Sequence, residues 1–172
     1  AIYGINNDSY YLEVPDSTDF DFGAPSGGAN DFTIDYWIYF DSSLVSWECP
    51  FECGNLYNSG VGNFVNSSGI LRTHIQTGVA DSAAGVITVG AWHHIAVVRN
   101  GTAWKIYVDG AVVASTTSSL DVGQYTDVFR IKNGVHYTAY GWSGYLDEFR
   151  VTKGVALWTQ NFTPPARRDT LS

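Results

Sequence analysis

Apolar and polar residues alternate with a period of two along most of this chain, the spacing of strands that bury one face. In Asp31–Phe40 (DFTIDYWIYF), Phe32, Ile34, Tyr36, Ile38 and Phe40 share one face, and Thr33, Asp35, Trp37 and Tyr39 share the other. Aromatics on both faces predict that the second face is also covered or used for contact. Ala91–Asn100 (AWHHIAVVRN) is rich in β-branched residues and ends at Asn100-Gly101; Ala103–Val108 returns to Asp109-Gly110, and Ala111–Ser115 resumes. Asn-Gly and Asp-Gly between such runs predict tight hairpins and a three-strand meander. Gly144–Thr152 (GYLDEFRVT) reads as the last strong strand, with Tyr145, Asp147, Phe149 and Val151 on one face and Leu146, Glu148 and Arg150 on the other. Asn161–Pro165 (NFTPP) cannot be sheet interior, because proline lacks the donor, and reads as an extended tail packed across the body. No segment shows a convincing 3.6-residue period; Lys153–Leu157 allows one helical turn at most. Ala24–Asn30 and Thr116–Ser119 are loops within one domain spanning 1–172.

Composition narrows the function classes. Aromatic residues make up 15% of the chain and glycines number 18, as expected of an all-β protein with many turns. Net charge is −8 with only 9 Lys and Arg, which disfavours phosphate backbones and anionic lipid as partners. No apolar run reaches the ~18 residues of a membrane span, so no membrane insertion is expected. No Met occurs, so a removed leader and a module cut from a longer chain are both open. The cysteines, Cys49 and Cys53, fit no redox or zinc spacing, and a disulfide closing a tiny loop and two separate thiols both remain open.

Four blocks in order carry a family likeness: Tyr11–Phe22 leading to Asp31–Phe40, then Gly90–Arg99 (GAWHHIAVVR), Lys105–Gly110 (KIYVDG) and Gly144–Pro165 (GYLDEFRVTKGVALWTQNFTPP). Together they resemble laminin-G-like, concanavalin-A-like lectin/glucanase jelly rolls, most of all copies in phage, virion and marine microbial proteins. The resemblance implies an all-β, two-sheet antiparallel jelly-roll sandwich that binds glycans or proteins, on an extracellular or virion surface. Two features depart from it. The Phe-Asp-Gly strand that opens many relatives is replaced by Ile2-Tyr3-Gly4, and Trp47–Asn58 (WECPFECGNLYN) follows no family pattern.

Catalytic sets are missing. Sandwich glycosidases need paired carboxylates, and of the four Glu only Glu48 and Glu52 could share a strand face, with Pro50 between them. Arg72–Gln76 (RTHIQ) resembles a lyase strand only in passing. His93 and His94 are adjacent and so point to opposite faces, which prevents them chelating one metal. Calcium is the metal candidate, centred on Asp147 with backbone carbonyls and Asp19 or Asp21; a carboxylate capped by backbone amides or an arginine is the alternative. No catalytic function is expected.

Sugar recognition needs flat aromatic faces ringed by acids, amides and hydroxyls. The loop Asn133–Trp142 gathers His136, Tyr137, Tyr140 and Trp142, with Tyr125 and Asp127 as neighbours; this is the predicted ligand-binding surface, with covering of a sandwich edge or an assembly interface as the alternative. A second candidate is Trp47–Tyr57, with Trp47, Phe51 and Tyr57, while the family resemblance implies that Trp37, Trp92, Trp104 and Trp158 are core or sheet residues. The function these features support is a non-catalytic carbohydrate-binding or adhesion module whose partner is a glycan or cell-surface protein. The runner-up is a capsid-decoration, fibre or filament subunit that docks other subunits, and a polysaccharide-degrading enzyme is a distant third.

Overall fold

The computed structural model describes residues 2–4, 10–23, 30–41, 43–54, 56, 60–75, 78–122, 128–135 and 141–168. Twelve strands are described: β1 (Ile2–Gly4), β2 (Leu12–Val14), β3 (Phe32–Phe40), β4 (Trp47–Cys53), β5 (Val61–Asn66), β6 (Leu71–Ile75), β7 (Gly78–Asp81), β8 (Trp92–Asn100), β9 (Ala103–Val108), β10 (Ala111–Thr117), β11 (Phe129–Ile131) and β12 (Gly144–Lys153). They form two antiparallel six-stranded sheets, ordered β1-β12-β3-β8-β9-β10 and β2-β11-β4-β5-β6-β7, which make a jelly-roll sandwich. The only helical element among the described residues is a 3₁₀ turn at Thr18–Phe20, so Lys153–Leu157 is not helical.

The alternation of β3 holds throughout. Phe32, Ile34, Tyr36, Ile38 and Phe40 all lie in the main core with Val97, Trp104 and Ile106 of the same sheet and Phe51, Val61 and Leu71 of the other. A polar bridge crosses this core: Asn63 Nδ2 donates to the Tyr36 hydroxyl at 2.9 Å, and the Thr73 hydroxyl donates to Asn63 Oδ1 at 3.0 Å. Each of these buried groups therefore has a partner, as burial requires. The meander is built as predicted, and Asp109 and Gly110 both take positive φ (53° and 78°), the backbone of a type I′ turn.

β4 departs from the sequence reading. WECPFEC is an interior strand, and Pro50 is absorbed by a bulge between Glu48 and Phe51. The proline costs no ladder bond there, and its carbonyl accepts from the Lys132 N–H at 2.7 Å. The bulge also sorts the side chains. Phe51 and Cys53 face the main core, whereas Cys49 packs outside with Leu56 and Phe64, so the two cysteines are free, buried and on opposite faces. Burial pushes the Cys53 thiol up to about 12 and the Cys49 thiol well above its ordinary value. Glu48 lies opposite Val65 of the core and Glu52 opposite Gly62, so the two carboxylates face apart and form no catalytic pair.

Glu48 is buried with one oxygen accepting from the Val45 N–H at 3.2 Å and the other without a partner among the described residues. Desolvation pushes its carboxyl up to about 7. An unfolded glutamate titrates near ~4.3, so the folded protein holds the extra proton between these values and stability falls as pH rises through about 7. Glu48→Gln is therefore expected to be more stable than the parent by about 1–2 kcal/mol near pH ~8.5 and close to equal below pH ~5, measured by urea unfolding at both pH values. A pH-independent difference would contradict this origin.

The C-terminal segment 154–168 straps the outer face of the first sheet. Trp158 and Phe162 stack at 3.9 Å and pack on Ala96, Val98 and Tyr107. The Thr33 hydroxyl donates to Val155 O and accepts from Leu157 N–H, both at 3.0 Å. This is the extended tail expected from Asn161–Pro165.

Candidate binding site

β12 enters its pairing with β3 at Gly144↔Phe40 and keeps regular register to Asp147↔Trp37, then resumes at Arg150↔Asp35. The shift is a bulge, and Glu148 sits in it with φ 49°. Leu146, Phe149 and Val151 consequently face the core, while Tyr145, Asp147 and Arg150 face outward. This corrects the period-two reading, which placed Phe149 and Val151 with Tyr145 and Asp147. The bulge turns Phe149 and Val151 inward and brings Arg150 to the outer face beside Tyr145 and Asp147.

That face is layered in rows. In the first row Tyr39 stands between Trp92 of β8 and Tyr145 of β12, with ring centroids 5.6 and 5.9 Å away. Tyr145 is 38% exposed, and Tyr39 and Trp92 are partly exposed. Arg167 of the strap lies over the Trp92 ring at 4.3 Å and within 3.6 Å of Asp147, so the row is left open at its Tyr39–Tyr145 side. In the second row Trp37 stands between His94 and Asp147. In the third, Asp35 receives Arg150 through two bonds, Nε to Oδ1 at 2.9 Å and Nη2 to Oδ2 at 3.0 Å. His94 Nε2 is 3.3 Å from Asp35 Oδ2 and directs that nitrogen at the carboxylate. The fourth row, Thr33 with Val98, is closed by the strap.

Behind the first row lies a pocket of about 290 Å³. Trp37, His94 and Asp35 line it from β3 and β8, Glu148, Phe149 and Arg150 from the β12 bulge, and Pro165 and Arg168 from the strap. The Arg168 N–H donates to Glu148 Oε1 at 3.0 Å, which fastens the strap to the bulge.

Tyr125, Asp127, His136, Tyr137 and Tyr140, and Tyr57 of the second candidate, lie outside the described residues. Trp142 is a correction: it is 1% exposed and packs in the core against Phe40 at 5.0 Å, so it is not a recognition residue on a solvent-facing loop. Of the second candidate, Phe51 is core and Trp47 is stacked under Arg72 at 4.4 Å. Both candidate segments meet at one point, where the Val135 N–H donates to Glu52 Oε2 at 2.7 Å. Asp147 accepts from the Glu148 N–H at 3.0 Å and pairs with Arg167, an amide-and-arginine cap. Asp21 bears on Cys53 of the second sheet, away from Asp147, and among the described residues no group of three His, Cys, Asp or Glu could hold a metal ion. His93 and His94 diverge as expected: His93 bonds Asp109 and Thr88, and His94 faces Asp35. Tyr39 and Tyr145 do not stand out as binding residues in the sequence and Trp92 reads there as a core or sheet residue, although the aromatics on both faces of Asp31–Phe40 are a signal for this row.

A two-sheet jelly roll with an exposed aromatic row beside a polar pocket has the architecture of a lectin-like fold. The chain belongs to the family described as the concanavalin A-like lectin/glucanases superfamily, which it matches over residues 6–160. No curated protein matches the sequence. Among solved structures it is similar to the CBM40 module of the Ruminococcus gnavus IT-sialidase bound to α2,3-sialyllactose, at 12% identity and a TM-score of 0.63, covering 88% of this chain and 92% of that one. The NanB sialidase of Streptococcus pneumoniae aligns at 15% identity and a TM-score of 0.67, covering 91% of this chain but 26% of the enzyme. Domain 4 of the extracellular arabinanase AbnA of Geobacillus stearothermophilus, solved with arabinotriose, aligns at 20% identity and a TM-score of 0.54, covering 72% of this chain and 61% of that one. At these identities the likeness shows the fold.

Proposed function

We propose that this chain is a non-catalytic carbohydrate-binding module whose ligand lies on the outer face of the first sheet, over Tyr39 and Tyr145. The observation that carries the reading is the exposed aromatic row leading into the pocket at Asp35, Glu148, Arg150 and Arg168. Flat rings meet the apolar faces of sugars, and alternating carboxylates and guanidiniums meet their hydroxyls. The α2,3-sialyllactose and arabinotriose held by structural neighbours support sugars as occupants of such folds. Catalysis is disfavoured by the geometry: both oxygens of Asp35 are held by Arg150 and His94, and Glu148 is held by the Arg168 amide. The natural setting of such a module is adhesion to a glycan-bearing surface, in an extracellular or virion protein.

One observation favours the alternative of a structural subunit. β2 ends the second sheet, and Tyr10, Tyr11, Leu12 and Val14 on or beside it are all exposed, an apolar edge of the kind that another chain can cover.

The test is a neutral and acidic glycan panel probed with the parent chain, Tyr39→Ala and Tyr145→Ala. Binding by the parent is expected, with each substitution weakening it about 10- to 100-fold. Tyr145→Ala should shift the unfolding midpoint little, because the side chain is 38% exposed. A folded parent chain that binds no glycan would overturn the reading and favour the protein-docking one.

A further inference from the structure

We infer that the pocket is a subsite for a single neutral sugar ring, so that the site takes the end of an oligosaccharide rather than an internal stretch; this rests on the carbohydrate-binding reading above. Three observations converge. The first is closure. The outer face between β3 and β12 is open at Tyr39 and Tyr145, passes the pocket at Trp37 and Asp35, and stops where the strap is bonded to Thr33. A chain laid along the strands can enter from the open row and cannot continue past the strap.

The second is size. About 290 Å³ stands at the lower edge of the ~300–1,000 Å³ of small-molecule pockets, enough for one ring and its hydroxyls.

The third is charge. The carboxylates of Asp35 and Glu148 are matched by the guanidiniums of Arg150 and Arg168, so the lining is neutral as a whole although the chain carries −8. A charged ring would enter this half-buried space without a compensating partner, whereas a neutral one would not. Asp35 and Arg150 satisfy each other, and Arg168 stands exposed at the rim with its backbone N–H bonded to Glu148 Oε1. Two further polar atoms in pocket-lining residues, the Trp37 indole N–H and His94 Nδ1, are buried and without partners among the described residues. A sugar hydroxyl that reached the pocket wall at Trp37 would find a donor in its indole N–H.

The experiment uses the full chain, ¹⁵N-labelled, titrated with glucose, galactose, mannose, arabinose and N-acetylglucosamine and with oligosaccharides of each, read at the Trp37 indole resonance. At least one free monosaccharide is expected to shift that resonance. Arg168→Ala should weaken its binding about tenfold. Tyr145→Ala should leave the monosaccharide affinity within about twofold while weakening the longer oligosaccharides. The inference is overturned if no monosaccharide binds although oligosaccharides bind through Tyr39 and Tyr145, an outcome that leaves the carbohydrate-binding reading standing. It is equally overturned if Arg168→Ala leaves the monosaccharide affinity unchanged. Failure of every sugar to bind overturns both.

Discussion

Trp142→Ala is expected to destabilise the sandwich by about 3–5 kcal/mol, the cost of truncating a fully buried tryptophan. The indole is 1% exposed and packs against Phe40 in the main core, next to the point where β12 joins β3. Against a total stability of ~5–15 kcal/mol this is a large share, and in a chain of this size it lowers the unfolding midpoint by roughly 10–15 °C. Trp142→Phe separates packing from the indole N–H, which is buried and without a partner among the described residues. It retains an aromatic ring and removes that N–H, so its cost should stay below about 1.5 kcal/mol. Thermal unfolding followed by circular dichroism decides the matter. An alanine variant as stable as the parent would return Trp142 to the solvent-facing loop that the sequence suggests.

Gly144→Ala is the second large effect. Gly144 has φ 146°, and a Cβ there would stand 1.9 Å from the Tyr39 carbonyl oxygen and 2.9 Å from its carbon. Both obstacles are backbone, so β12 would have to swing away from β3 where Tyr145 pairs with Tyr39. Overpacking and a non-glycine residue at positive φ together cost about 3–4 kcal/mol. Because the displaced strand carries Tyr145, glycan affinity should fall with stability. Gly85→Ala is the control: its φ is 75°, but a Cβ there meets nothing within 4 Å, so only the conformational cost of about 1 kcal/mol should appear. Equal losses at the two positions in urea unfolding would contradict the steric account.

Much of the fold was legible in the sequence because its strongest segments obey one local rule. The alternation of Asp31–Phe40 and the Asn-Gly and Asp-Gly turns of the meander each specify their structure within a few residues, and the structure builds them accordingly. The bulges were not legible. At β4, Pro50 signalled irregularity, yet its accommodation inside the sheet depends on Lys132 from a distant segment. At β12, Glu148 takes positive φ without a glycine to announce it, and every side-chain facing beyond it changes.

The site suffered from the same limit. An aromatic near the end of a loop reads alike whether it faces solvent or turns inward, and only the packing of Trp142 on Phe40 distinguishes the two. Conversely, the aromatic row had half its signal in β3, where Trp37 and Tyr39 occupy the face opposite the core. The partners Trp92 and Tyr145 lie far apart in sequence and meet only through strand pairing.

The central claim is the location of the glycan site, and the six tryptophan indole N–H resonances report it directly. A ¹H–¹⁵N titration of the full chain with whichever oligosaccharide the panel selects should shift Trp37 and Trp92, which border the Tyr39–Tyr145 row, and leave the buried Trp104 and Trp142 unmoved. Saturable binding that leaves Trp37 and Trp92 still, with the perturbed amides instead at residues 123–127 and 136–140 flanking β11, would contradict the account and place recognition on the loops that the sequence first suggested.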